Sequence, residues 1–482
     1  MFRPVSVVRI LSLLAGGVLF PAVPVAGAER AAELPSRPNV VLLYADDLGW
    51  TDLACQGSEY YETPHIDRLA NAGTRFVQAY AAAANCAPSR ASLMTGAYTP
   101  RHQIFTVGNA DRGAAKHRKL IPTPNTQVLA SRWTTIGDLF QQAGYATCVA
   151  GKWHLSEDPT EYGFGTNFGG NRAGHPKSYF SPYKNPDLPD GPKGEHLPER
   201  LSRDVCDWIK GHAEQPFFVY FPFYSVHTPI QAKPEVTAQF EGKTASRGHD
   251  NPKYAAMIAA MDQAVGKVLQ TLESLQLEEE TLVIFASDNG PHGGVSKAIP
   301  LRGSKGMYYE GGIRVPLIVR FPGIVPAGAT SQQPIHQVDL LPTLAHVIDA
   351  PLPAQPIDGI NVFSAWQGNR LAERPLYWHF PAYLQGYGSQ NQGSRYDQHW
   401  RTTPCAVIRV GDWKLIEYFE EAGQPQAFEL YNLAEDRGET TNLAAEEAEI
   451  RDRLIERLHA WQQEVGAPVP REPNPRWQPT KS

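Results

Sequence analysis

At 482 residues the chain exceeds what one ordinary hydrophobic core organises, so two domains are expected once a leader is set aside. Apolar residues make up 42% and charged residues 20%, a globular balance with no repeat or low-complexity tract. The net charge of −6, with no basic block, excludes nucleic acid as a natural partner and leaves the steering of any anionic substrate to local charges.

The chain opens like a leader. Arg3 and Arg9 flank an apolar run from Ile10 to Val25, and Ala26-Gly27-Ala28 is a small-residue cleavage site. Pro21 and Pro24 break the run, which argues against a stable membrane anchor. The reading is a signal peptide over 1–28, a mobile start over 29–37 and an exported protein, periplasmic or extracellular. Of the five cysteines, Cys148 lies in an apolar strand-like run and reads as a buried free thiol; the pairing of the others stays open.

Asn39 to Tyr44 is a continuous apolar run, the pattern of a strand buried on both faces, and it ends in Asp46-Asp47. Thr63-Pro64 starts a helix that Gly73 stops. The polar run 81–85 then leads into Cys86-Ala87-Pro88-Ser89-Arg90 and on through Leu93-Met94-Thr95-Gly96. Pro88 suits a first helical turn, which puts Cys86 at a helix N-terminus, where free N–H groups favour an anion or a lowered thiol pKa. Arg90 lies one turn on, within reach of Cys86. An isolated Cys-x-Pro would be only a small buried cysteine before a helix.

A short helix over 135–143 precedes the strand 145–150, which ends in Gly151-Lys152-Trp153-His154. The stretch 160–200, rich in Gly, Pro, Asn and aromatics, reads as loop. A helix over 201–210 and a strand over 216–223 follow, the latter running into Ser225-Val226-His227-Thr228-Pro229. Tyr254 to Leu272 is an amphipathic helix, 281–286 a strand ending in Ser287-Asp288-Asn289-Gly290, and 315–321 one more strand. The Pro-rich break 351–356 introduces short strands over 376–380, 406–410 and 413–419 and a helix bearing Ile450, Leu454, Leu458 and Trp461 on one face. From Pro468 the tail is expected to be loosely ordered.

The fold class is therefore α/β: a large, mixed, mostly parallel sheet flanked by helices over 38–365, with a small C-terminal α+β domain of antiparallel sheet plus helix over 370–467 and a tail over 468–482. Four strands carry chemically capable residues just past their C-terminal ends, the edge where open α/β sheets bind ligands. Asp46, Asp47, Asp288 and Asn289 are hard oxygen donors suited to Ca²⁺ or Mg²⁺. One Asp-Asp pair would be an ordinary turn; two such clusters, each closing a buried strand, favour a shared metal site.

The string Cys-x-Pro-Ser-Arg-x-x-x-Met-Thr-Gly at 86–96 closely resembles the signature of type I sulfatases, of alkaline-phosphatase-like fold. The resemblance implies that Cys86 is oxidised to formylglycine (3-oxoalanine) by a maturation enzyme, and that the aldehyde hydrate is the nucleophile. It also implies that an oxygen of residue 86 joins Asp46, Asp47, Asp288 and Asn289 around a divalent cation, calcium in most members. Gly151 to Leu155 resembles the second signature block, whose lysine (here Lys152) contacts sulfate and whose histidine (His154) acts as base. His227 resembles the histidine near the leaving oxygen. Gly303-Ser304-Lys305-Gly306, followed by Glu310 to Pro316, resembles the lysine loop, making Lys305 a second sulfate clamp and Glu310–Arg314 a loop-fixing pair. Arg90 and the metal would hold the nucleophile. Gly411 to Leu415 and Glu429 to Leu433 resemble the family's small C-terminal domain.

The implied function is an exported sulfatase acting on an aryl-type sulfate ester or a sulfated glycan. Tyr377, Trp378, His379, Tyr383, His175 and Lys177 are candidates for the pocket rim, while His102 and Lys116 read as surface residues. Two rival readings are a phosphodiesterase or phosphonate hydrolase on the same scaffold and a non-catalytic glycan-binding relative. The latter would not need Cys86, Lys152, His154 and Lys305 together.

Overall fold

The computed structural model describes Met1, residues 34–387, Arg395 and residues 399–479. The leader reading over 1–28 lies, apart from Met1, outside the described residues. Residues 33–482 form one compact unit.

Its centre is an eight-stranded sheet of β1 (Asn39–Ala45), β2 (Thr74–Phe76), β3 (Ala146–Ala150), β4 (Thr166–Phe168), β5 (Phe217–Pro222), β6 (Thr281–Ser287), β7 (Leu317–Arg320) and β8 (Ala329–Ser331). The spatial order is β8-β2-β7-β6-β1-β5-β3-β4. β7 runs antiparallel to both neighbours, and every other pairing is parallel. In the central register Leu42 lies between Tyr220 and Ile284. The unbroken apolar run of β1 has a simple cause. Val40, Leu42 and Tyr44 face one core, and Val41, Leu43 and Ala45 face the other, so no position meets water.

Helices of seven or more residues cover both faces: α1 (Pro64–Asn71), α2 (Cys86–Thr95), α3 (Ile136–Gln142), α4 (Leu197–Gly211), α5 (Pro252–Ser274) and α6 (Leu340–Val347) on the large sheet, and α7 (Ala448–Glu464) beyond it. α1, α4 and α5 pack on one face, α2, α3 and α6 on the other. Thr135 closes the start of α3 with a capping box, accepting from the Asp138 N–H at 3.2 Å while Asp138 accepts from the Thr135 N–H at 2.7 Å. All ten residues of α2 are buried, so it shows none of the amphipathic period of a surface helix.

A four-stranded antiparallel sheet follows, in the order Leu376–Phe380, Cys405–Val410, Trp413–Tyr418, Phe428–Asn432. One face packs on α7 through Ala406, Ile408, Leu415, Leu430, Leu454, Leu458 and Trp461. The other shares a core with Tyr80, Met307, Tyr308, Tyr309 and Ile313 of the larger part.

Several expectations change. The strand read over 315–321 is two: Arg314–Val315 pairs with Ala79–Tyr80 in a separate small sheet, and β7 begins after Pro316, which has no N–H for a ladder. The loop stretch 160–200 supplies β4, an edge strand on β3, and α4 starts at Leu197 with Pro198 in its first turn. The described part of the tail, up to residue 479, is tethered, not loose. The Asn474 N–H donates to the Lys119 carbonyl at 2.8 Å and that of Gln478 to the Lys116 carbonyl at 2.8 Å. His102, read as a surface residue, is buried, with Nε2 2.9 Å from Ser92 Oγ.

Candidate active site

β1 ends at Ala45, and the next two residues are locked in place. The Asp46 N–H donates to Ser225 O at 2.9 Å, and its carbonyl accepts from the Val226 N–H at 2.7 Å, stitching the ends of β1 and β5 together. Asp47 adopts φ 60°, the left-handed region that few non-glycine residues occupy. Its N–H donates to Asp288 Oδ1 at 3.0 Å, and its carboxylate accepts from Lys305 Nζ at 2.7 Å and Asn289 Nδ2 at 2.9 Å. Asp46, Asp47, Asp288 and Asn289 are each 0% exposed.

Cys86 is the first residue of α2, and its Sγ lies 3.9 Å from Asp47 Oδ1. The contacts of the Arg90 guanidinium are not with that thiol. Nε and Nη2 grip Asp288 Oδ2 at 3.0 and 2.8 Å, and Nη1 donates to Lys152 O at 2.8 Å. Arg90 thus ties α2 to the ends of β6 and β3. Lys152, just past β3, donates to both oxygens of Asp46 at 2.8 and 2.7 Å. His154 has φ 64°, donates its N–H to Asn171 O at 2.8 Å, and keeps a buried Nδ1 without a partner. A Cβ at Gly174 would lie 2.6 Å from that ring, so only glycine lets the loop close over it. His227 Nε2 is 3.6 Å from Asp47 Oδ2, and its Nδ1 is 2.8 Å from Thr228 O. The ring of His175 lies parallel to that of His227, 5.9 Å away.

The donor set fits a hard divalent cation. Ligand atoms of Asp46, Cys86 and Asp288 all lie within 4.8 Å of one another, as do those of Asp47, Cys86 and His227. The Asn289 Oδ1 is buried without a hydrogen-bond donor, as a metal-ligating amide oxygen would be.

The sulfatase family profile matches residues 38–350, and a profile for the C-terminal region of N-sulphoglucosamine sulphohydrolase matches residues 304–464. The chain belongs to the type I, formylglycine-dependent sulfatase family. A sulfatase of Formosa agariphila is 32% identical over 92% of this chain and 92% of its own length. The N-acetylgalactosamine-6-sulfatase of Canis lupus familiaris is 32% identical over 72% of this chain and 70% of its own. Among solved structures, Ps i-CgsB in complex with k-i-k-neocarrahexaose superposes with a TM-score of 0.73 at 27% identity, covering 89% of this chain and 93% of that one. The protein is a sulfuric ester hydrolase with a formylglycine and divalent-metal active site. Cys86 Sγ lies among the carboxylate oxygens of that site.

Charge in this sulfatase site is sharply partitioned. Burial would raise the Asp47 carboxyl, but Lys305, His227 and Lys152 hold it far below the usual range. Burial likewise opposes ionisation of Asp288, and Arg90 and Lys152 outweigh it. Burial pushes the Cys86 thiol up, yet Lys152 and Lys305 bring it down to about 6. The two histidines diverge. Burial, with Lys152 and Arg90 adding to it, drives His154 well below its ordinary value and keeps it neutral. Burial and Lys305 also oppose the charged form of His227, but Asp47 and Asp46 prevail and its pKa rises. Titratable groups driven in opposite directions around one centre are the usual basis of an acid–base division.

The aromatics read as rim belong elsewhere. Trp378 and Tyr383 are buried, His379 Nε2 meets Pro468 O at 2.9 Å, and Tyr377 stacks on Trp461 at 4.5 Å, so strand 376–380 is core. The groups that do flank Lys305 carry no signal in the sequence. Tyr387 lies between the His292 ring at 4.4 Å and the Arg401 guanidinium at 3.9 Å, and Arg401 Nη1 reaches Lys305 O at 3.3 Å. No motif marks Tyr387 and Arg401: Arg401 lies in the short strand Trp400–Thr402, paired antiparallel with Leu384–Gln385, and Tyr387 lies two residues past the latter, so only the fold brings them to Lys305. All five cysteines are unpaired, and Cys148 is a buried free thiol.

Proposed function

We propose that this sulfatase is exported, is matured at Cys86 by a formylglycine-generating enzyme, and removes sulfate from a sulfated glycan. N-acetylgalactosamine 6-sulfate is the first sugar to test. The observation that carries the reading is the convergence of Cys86, Lys152, His227 and Lys305 on one carboxylate cluster at the strand ends, with His154 two residues past Lys152. The relatives named above support the glycan. Export rests on the leader pattern; among the described residues no helix is long and apolar enough to cross a membrane.

Asp46, Asp47, Asp288 and Asn289 would hold calcium, or magnesium, together with an oxygen at position 86. When bound, that cation supplies Lewis-acid polarisation and a positive template. Formylglycine supplies a hydrated aldehyde as nucleophile. Arg90 fixes Asp288 and the start of α2, so that residue 86 faces the substrate sulfur. Lys152 and Lys305 take sulfate oxygens, placing positive charge where negative charge develops. His227, or Lys305 in its place, gives a proton to the departing alcohol oxygen. His154, neutral and with a vacant nitrogen, accepts a proton at position 86 so that sulfate can leave.

Peptide mass spectrometry of the exported protein should show residue 86 converted, and the converted protein should release sulfate from aryl sulfates and sulfated sugars. Cys86→Ala should abolish turnover. A kcat/KM for phosphodiesters or phosphonates above that for every sulfate ester would favour the rival chemistry on the same scaffold.

A further inference from the structure

A buried ion cluster lies outside the reacting groups and joins the small sheet to the lysine loop. Lys414, on strand Trp413–Tyr418, contacts Glu310 Oε1 at 3.0 Å and Glu439 Oε1 at 2.8 Å. All three side chains are 0% exposed. The Glu310 N–H donates to Glu439 Oε2 at 2.6 Å, Tyr80 donates to Glu310 Oε2 at 2.7 Å, and Arg314 Nη1 lies 3.3 Å from the same oxygen. Removing an ammonium and two carboxylates from water is costly, and apolar residues commonly replace such pairs without loss of stability. Stability alone therefore does not account for the cluster.

Its position does. Glu310 opens the turn Glu310–Ile313, whose glycines are in backbone contact with both halves of the site. The Gly290 N–H donates to Gly312 O at 2.9 Å, directly after Asn289. A Cβ at Gly290 would sit 1.9 Å from Gly311 O, and one at Gly312 would sit 1.8 Å from Met307 O and 2.6 Å from Ser304 O. The turn thus seats Asn289 from one side and the Ser304–Met307 segment, which carries Lys305, from the other. Whatever shifts Glu310 shifts a metal ligand and a sulfate clamp together.

We propose that Lys414 and Glu439 are positioning residues of the sulfatase site: they anchor Glu310, and through its glycine turn they set the places of Lys305 and Asn289. This rests on the reading of Lys305 as a sulfate-binding group and Asn289 as a metal ligand. The pair acts at a distance and touches neither substrate nor metal.

The test uses the matured, calcium-loaded full chain and the double substitution Lys414→Met/Glu439→Gln, which removes the ammonium and the carboxyl that hold Glu310. Measured well below its melting temperature, the variant should lose about tenfold in kcat/KM, as supporting shells around metal sites typically do. Inhibition by inorganic sulfate should weaken, and the rise in melting temperature on adding calcium should shrink. Lys414→Arg, which keeps a donor to both carboxylates, should restore most of each property. If the double variant does not accumulate as folded protein, Glu439→Gln alone should show the same three changes in smaller measure. A melting temperature that falls while kcat/KM, sulfate inhibition and the calcium shift stay at wild-type values would overturn the proposal. Lys305→Ala separates the two readings. If it leaves sulfate inhibition untouched, the role given to Lys305 is wrong; if it abolishes inhibition while the 414/439 variant does not, only the positioning role is wrong.

Discussion

At the scale of single residues, the site is made of side chains forced into places they would not choose alone. Asp47 and His154 both have positive φ, and each is held by contacts from other segments: Asp288 takes the Asp47 N–H, and Asn171 takes that of His154. Such conformations cost roughly 1–3 kcal/mol each and persist only when the surroundings over-determine them. His154→Asn should lower kcat by about 10²–10⁴ in stopped-time assays of aryl sulfate hydrolysis, the usual cost of losing a general base. Gly312→Ala should depress both stability and activity, because a Cβ there would lie 1.8 Å from the Met307 carbonyl oxygen and the backbone must move to admit it. Its methyl would meet two backbone carbonyls of the lysine-loop segment, and displacing Lys305 by even about 1 Å can cost on the order of a hundredfold in kcat/KM. Parallel melting curves and steady-state kinetics would separate the two effects.

At the scale of elements, the lysine loop and the small sheet form one electrostatic unit. Glu310 and Glu439 share Lys414, and they respond in opposite directions. Burial raises both, but Lys414, Arg314 and Arg409 hold Glu310 down to about 2, whereas Glu439, facing the Glu310 charge, is pushed from 4.5 up to about 7. A carboxyl with a raised folded-state pKa binds its proton more tightly folded than unfolded. The stability from that proton is complete below the unfolded value of 4.5 and is lost as pH rises through the folded value of about 7. Glu439→Gln removes this dependence. Thermal melts of both proteins from about pH 5 to about pH 8 should show the wild type losing melting temperature relative to the variant. A constant difference across that range would contradict the assignment. Helix α2 makes a related point: ten buried residues, one of them the Arg90 guanidinium, make it a fixed platform for residue 86.

At the scale of the whole molecule, the sheet gathers the ends of β1, β3, β5 and β6 at one edge, and the small sheet closes over the lysine loop beside them. The shared core of Tyr80, Met307, Tyr308 and Tyr309 with Trp378, Phe380 and Val407 makes the small sheet part of the catalytic body. A chain truncated before Leu376 would expose these aromatics and should be recovered aggregated or rapidly proteolysed, not as an active core. The buried carboxylates predict a metal effect on folding as well. Chelation should lower the melting temperature and calcium should restore it, because a ligand bound only by the folded state at about a hundred times its Kd adds about 2.7 kcal/mol. A melting temperature indifferent to chelator and calcium would remove the cation from the site.

Sequence alone determined the class of fold and pointed to the carboxylates, lysines and histidines that the fold brings together. β1 and β6 are legible because a strand buried on both faces must be apolar throughout, and Asp46-Asp47 and Asp288-Asn289 stand out because polar residues abruptly end those runs. The string around Cys86 is legible because its chemistry requires a particular run of residues. Only the tertiary structure decided who meets whom. That Arg90 grips Asp288, that Tyr387 and Arg401 flank Lys305, and that Lys414 braces Glu310 depend on segments about 100 to 200 residues apart in sequence. Such pairings leave no local period or motif: a buried cation in a strand looks like any lysine until the fold removes water from around it, and a histidine carries no sign of its charge state until its neighbours are in place.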